Sequence, residues 1–263
     1  MTRRLVAALL LLLIPAPARA LEERVRTIPS RPGVTESFVL IHPTDTPVAT
    51  VILLMGGRGA LGLQRGGIGP RNTNFLVRMR QRFAERGFLV AVVDVPSDRT
   101  SEALVHFRTS AEHASDVRAL IAVLRAGAPV PVWLVGTSMG SVSAASAAAR
   151  LADGGPDGIV VTSSVMSRSR EMGESLQDVA LDRIRVPVLV VHHRDDACPH
   201  SRYADTSWAM RRLSATPRKE LLTFSGGDAP QSPPCEPLAP HGYFGIEDRV
   251  VDAIALWITA AKP

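Results

Sequence analysis

The sequence predicts an α/β protein built on a largely parallel sheet, and three observations carry that prediction. Apolar runs of strand length alternate along the chain with segments of helical periodicity. One of those runs, Phe88 to Val95, is apolar at nearly every position, as a strand covered on both faces should be. Between another run and an Ala-rich helix former sits Gly136-Thr137-Ser138-Met139-Gly140, a G-x-S-x-G sequence in the strand-to-helix context that such sheets provide.

Taken in order, residues 1–20 read as a secretory signal. Arg3 and Arg4 precede the apolar run Leu5 to Ile14, and Ala18-Arg19-Ala20 supplies the small residues of a cleavage site. The apolar run is short for a bilayer span, so the expected mature protein is exported, periplasmic or secreted, with no stable membrane insertion after cleavage. The Arg3-Arg4 pair hints at twin-arginine export, while the plain Leu/Val/Ala composition that follows favours the general route. Residues 21–263 then form one expected domain. Thr35 to Ile41 and Ala49 to Met55 read as strands, and Asn74 to Arg86 as a helix with Phe75, Met79 and Phe83 on one face and Gly87 as its stop. Phe88 to Val95 is a strand, and Ser110 to Ala126 a helix with Ala114, Val117, Ile121 and Leu124 on one side. Further strands are expected at Pro131 to Val135, Gly158 to Val165, Val186 to His192 and Lys219 to Phe224. A helix is expected at Ser141 to Leu151, and a closing one at Gly245 to Ala260 carries Ile246, Val250, Ile254 and Trp257.

Composition narrows the function classes. Without the three arginines of residues 1–20, the 30 basic residues become 27 against 25 acids, a balance of only +2. Basic residues are spread along the chain, so no nucleic-acid partner is indicated, and aromatic content of 5% argues against a stacking platform for bases or sugars. Cys198 and Cys235 are the only two cysteines. In an oxidising compartment such a pair reads first as a disulfide, with two buried free thiols as the alternative.

The serine elbow carries the chemistry. A serine hydroxyl is unreactive at neutral pH unless it is held exposed, beside a base, and near donors for an oxyanion. Glycines two before and two after Ser138 leave room for a strained strand-to-helix turn, and the helix N-terminus aims N–H groups at the site. The bland alternative is a tight turn of any α/β protein.

The order of elements and motifs resembles the α/β-hydrolase superfamily over essentially the whole of residues 21–263. The resemblance implies a mostly parallel central sheet of about eight strands with helices on both faces, and a serine hydrolase. The roughly twenty residues between the strand ending near Met166 and the one starting near Val186 are too few for the helical lid domain of many relatives. In that family an acid and then a histidine follow the serine, each on a loop after a later strand. Here Val186 to His192 runs into His193-Arg194-Asp195-Asp196, and His241 precedes the final helix. Aligning His193 with the family's strand-end glycine selects Asp196 as the acid, with Asp195 as the alternative, and His241 as the base. The resemblance also implies an oxyanion hole from the N–H of Met139 and one after Met55, where Met55-Gly56-Gly57-Arg58 departs from the family's usual His-Gly. Gly57 aligns as that donor, with Arg58 as the alternative. Arg58, Arg65, Arg71, Asn72 and Asn74 are candidate substrate contacts. No cofactor is implied.

Two competing motifs are weaker. Gly57-Arg58-Gly59-Ala60-Leu61-Gly62 matches the dinucleotide fingerprint G-x-G-x-x-G, but Gly66, Gly67, Gly69 and Pro70 keep a helix from opening before about Asn72. His192, His193, Asp195, Asp196 and His200 hold candidate metal ligands, yet adjacent strand residues point to opposite faces and cannot readily share one ion, so no metal is expected. The expected function is hydrolysis of an ester or related acyl bond in a small molecule through an acyl-enzyme. A peptidase or amidase with the same triad, or a non-catalytic binding protein on the same fold, are the alternatives.

Overall fold

The computed structural model describes residues 20–63, 68–69, 73–99, 104–169 and 172–260. Residues 1–19 of the expected signal (1–20) lie outside them, as do Arg65, Arg71 and Asn72. Eight strands form one sheet: β1 (Glu23–Arg31), β2 (Val34–Ile41), β3 (Ala49–Leu54), β4 (Phe88–Val93), β5 (Val132–Thr137), β6 (Gly158–Thr162), β7 (Val188–His193) and β8 (Lys219–Phe224). Their spatial order is β1-β2-β4-β3-β5-β6-β7-β8. β1 pairs antiparallel with β2, and β2 antiparallel with β4; every other pair is parallel.

Period-two alternation distributes the strand side chains between two cores. Leu89, Ala91 and Val93 of β4 join Ile52 and Leu54 of β3 on one face, while Phe88, Val90 and Val92 join Val51 and Leu53 on the other. The first face is covered by α3 (Ala111–Gly127), α4 (Met139–Arg150) and α5 (Thr206–Arg212), the second by α1 (Phe75–Arg78), α2 (Arg80–Glu85) and α6 (Glu247–Thr259). β3, β4, β5, β6 and β7 are buried at every position, which is why their sequences show no polar alternation.

Four departures from the sequence expectations have physical causes. β1 was not foreseen: its residues Glu23 to Arg31 are mostly exposed at the sheet edge, so ladder bonds to β2 rather than burial define it. The expected helix over 74–86 is broken at Met79, where the Arg80 guanidinium donates to the Val77 carbonyl (2.6 Å), an acceptor that a continuous helix would use itself. β6 ends at Thr162 rather than Val165, because Ser163 turns the chain with φ 41°. α5 was not foreseen either, its seven residues being too few for a periodic signal. Between β6 and β7 the described residues hold two 3₁₀ turns, Leu176–Asp178 and Leu181–Arg183, and no lid-sized helix.

Candidate active site

Ser138 stands between β5 and α4 with φ 53° and ψ −123°, a strained conformation for a non-glycine residue. Its surroundings enforce it. A Cβ on Gly136 would lie 2.2 Å from the Gly140 carbonyl oxygen, and one on Gly140 1.9 Å from that of Leu54. Both glycines are therefore steric requirements of the strand-to-helix turn. The Ser138 N–H donates to Thr162 O (2.9 Å), and its carbonyl accepts from the Ser141 hydroxyl (2.6 Å) and N–H (3.0 Å). Met139 opens α4, so its N–H has no intrahelical acceptor.

The turn after β7 carries Asp196. Its side chain is fully buried; Oδ1 accepts from the Cys198 N–H (2.9 Å) and Oδ2 lies 2.9 Å from His241 Nδ1. Asp195 differs in every respect, with a side chain 64% exposed and its N–H donated to His193 Nδ1 (3.1 Å). His193 consequently carries its proton on Nε2 and donates it to Gly226 O (2.9 Å), which fastens the loop after β8. His192 is buried beside the carboxylate, its Nε2 2.8 Å from Ser201 O and 3.7 Å from Asp196 Oδ2. Burial holds its imidazole below the usual value, so it is a neutral donor and not a second cation.

His241 sits in a 3₁₀ turn, Pro240–Gly242, and is nearly buried. Among the described residues its Nε2 has no hydrogen-bond partner. Ser138 and His241 line one cleft of about 740 Å³, together with Gly56, Gly57, Arg58, Thr73, Asn74 and the two cysteines. Cys198 and Cys235 form a disulfide. Thus the structure brings Ser138, His241 and Asp196 to one end of the sheet. It places Gly57 and Arg58 in the cleft wall, while Arg65 and Asn72 fall outside the described residues. Asn74 lines the cleft and caps α1 through Oδ1 (Leu76 N–H, 3.1 Å).

Several residues that organise the site were not foreseen from the sequence. Asp94 closes β4, and its carboxylate accepts the N–H groups of Leu61 (2.7 Å), Leu63 (2.8 Å) and Val95 (2.9 Å), holding the loop after β3. Its position in an apolar run was the one available hint. Tyr243 adopts the left-handed conformation two residues after His241; its hydroxyl donates to Val191 O (2.9 Å) and accepts from the Ser163 N–H (3.1 Å). Burial pushes this phenol well above its ordinary range, so it remains a donor at any physiological pH.

No protein-family model and no curated protein matches the sequence. Solved structures do. A serine hydrolase without a lid from Xanthomonas campestris superposes with a TM-score of 0.62 at 18% identity, over 94% of this chain and 100% of that one. Dienelactone hydrolase from Anabaena variabilis gives 0.63 at 14% identity, over 93% and 100%. A thermostable carboxyl esterase from Bacillus coagulans gives 0.58 at 13% identity, over 92% and 98%. The chain therefore has the α/β-hydrolase fold.

Proposed function

We propose that this protein is an exported serine hydrolase that cleaves a carboxylic ester or a related acyl bond. The observation that carries the reading is the Asp196–His241 hydrogen bond of 2.9 Å, which leaves an unpartnered His241 Nε2 in the cleft that also holds Ser138. Accepting from Nδ1–H fixes the tautomer whose Nε2 lone pair can take the serine proton, and the buried carboxylate stabilises the resulting imidazolium. Ser138 Oγ then adds to the acyl carbon while the carbonyl oxygen takes up negative charge. The Met139 and Gly57 N–H groups receive that charge. His241 returns the proton to the leaving alcohol as the carbon–oxygen bond breaks. Water, deprotonated by the same nitrogen, releases the acid from Ser138.

A cleft of about 740 Å³ lies within the range for small-molecule sites, which supports small or medium acyl substrates. The disulfide and the leader-like residues 1–20 support export. Fluorophosphonate labelling and turnover of p-nitrophenyl esters test the reading. Wild type should label at Ser138, and Ser138→Ala should neither label nor turn over, losing about four to six orders of magnitude in kcat with its fold intact. Retention of most activity in Ser138→Ala would refute it.

A further inference from the structure

Behind the Gly56–Gly59 turn lies a buried arginine that the proposed chemistry does not use directly. Arg108 is 1% exposed. Its Nη2 donates to the Gly57 carbonyl (2.9 Å) and its Nη1 to Ser143 Oγ (2.9 Å), on the helix that begins at Met139. One guanidinium thus joins the two structures that carry the two oxyanion donors. We infer that Arg108 is a positioning residue that sets the spacing between the Gly57 and Met139 N–H groups, an inference resting on the serine hydrolase reading.

The turn itself explains why such a clamp is needed. Gly59 N–H donates to Gly56 O (3.2 Å) and Gly57 has φ 57°, so the first peptide of the turn aims its carbonyl inward. Because the peptide is planar and trans, the Gly57 N–H points the opposite way. The turn is packed against the serine, since a Cβ on Gly56 would lie 2.8 Å from Ser138 Cβ and 3.4 Å from its Oγ. A glycine-rich turn has little rotational restraint of its own. The restraint comes from residues 104–108: Leu104 N–H holds the Arg58 carbonyl (3.0 Å) while Arg108 holds that of Gly57, which fixes the peptide after Gly57 and so holds the donor residue from its C-terminal side. Glu174 anchors this segment in turn, accepting from the N–H groups of Arg108 (3.2 Å) and Thr109 (2.8 Å) and from the Thr109 hydroxyl (2.7 Å). Burial lowers the guanidinium to about 10, which still leaves it cationic at neutral pH. The planar fork matters as much as the charge, because a lysine ammonium cannot hold both acceptors in one plane.

The experiment compares wild type, Arg108→Gln, Arg108→Lys and Ser143→Ala using p-nitrophenyl butyrate turnover. It also measures inhibition by an alkyl trifluoromethyl ketone, which binds as an oxyanion adduct, and by the matching methyl ketone, which does not. Arg108→Gln should lower kcat by about tenfold to a hundredfold with KM within about threefold. The trifluoromethyl ketone should weaken by the same factor and the methyl ketone hardly at all. Arg108→Lys should recover part of the loss. Ser143→Ala, which removes one tine of the fork and folds even if the Arg108 variants do not, should show a smaller change of the same kind. An unchanged ratio between the two ketones in the Arg108 variants, or in Ser143→Ala should those variants not fold, would overturn the inference while wild-type activity stands. Wild type that hydrolyses no ester and binds no trifluoromethyl ketone would instead sink the functional reading, and this inference with it.

Discussion

The turn that carries the proposed nucleophile and the loop that carries the proposed base are held by opposite means. Around Ser138 every restraint comes from residues within a few positions in sequence or from the adjoining strands: Gly136, Gly140, Ser141 and Thr162. His241 lies in a proline-rich stretch whose anchors are distant. They include the disulfide to Cys198, the carboxylate of Asp196, the Arg78 guanidinium on the Gly242 carbonyl (2.7 Å), and the Tyr243 hydroxyl on the ends of β6 and β7. Local steric rules can write a strained turn into five residues. A histidine on an irregular loop has to be tied from elsewhere, and each tie is a separate point of failure.

The comparison is sharpened most by the two adjacent acids. Asp196→Asn should leave the fold intact and lower kcat by about four orders of magnitude, because an amide stabilises the wrong imidazole tautomer. Asp195→Asn should change kcat by less than about threefold, since its side chain faces solvent. Ester turnover of the purified variants decides, and the reverse ranking would move the acid to Asp195. A smaller effect is expected at the disulfide, which closes a sequence separation of 37 residues and stabilises the fold by about 4 kcal/mol in the chain-entropy account. Replacing both Cys198 and Cys235 with Ser should lower Tm. It should also lower kcat about tenfold or more at temperatures well below melting, because a base displaced by about 1 Å is costly. Full turnover in the double variant would show that the remaining anchors, Asp196, Arg78 and Tyr243, hold the base loop without the disulfide.

The smallest effect is a pH dependence. Burial pushes the Glu36 carboxyl up to about 9 from an ordinary value of 4.5, and holds the His113 imidazole down at about 3 from 6.5. Between pH 4.5 and 9 the folded chain keeps a proton on Glu36 that the unfolded chain has lost, so this contribution to stability is lost as pH rises. Between pH 6.5 and 3 the unfolded chain protonates His113 and the folded one does not, so stability is lost as pH falls. The two slopes oppose each other from 4.5 to 6.5. Above 6.5 Glu36 acts alone. Wild-type Tm should therefore decline from pH 6.5 to 9, and Glu36→Gln should flatten that decline. An identical decline in both proteins would remove Glu36 as its source.

What was legible in the sequence follows the same division. The buried parallel strands and the elbow are encoded in contiguous residues, and the α/β architecture and the surroundings of Ser138 could be read from them. Asp196 and His241 came from a family resemblance, and the structure brings them within 2.9 Å. β1 escaped because its only signature is a partner strand, and α5 because it spans two turns. Arg108, Glu174 and Tyr243 were invisible for a different reason. Each acts through backbone carbonyls or N–H groups far away in the chain, and a hydrogen bond to a backbone atom leaves no matching residue type to recognise.

The ladders of β5, β6 and β7 align Thr137 with Thr162 and Thr162 with Val191, one residue before Ser138 on one side and five before Asp196 on the other. These strands work as a ruler. A slip of one residue along either ladder would shift one arm of the proposed site by about 3.3 Å relative to the other and turn every buried side chain to the opposite core. The side chains at Val135, Val160 and Leu189, packed in the core on one face of the sheet and not lining the cleft, are thereby guardians of alignment. Substitutions there that leave the melting temperature almost untouched can still appear as kinetic defects.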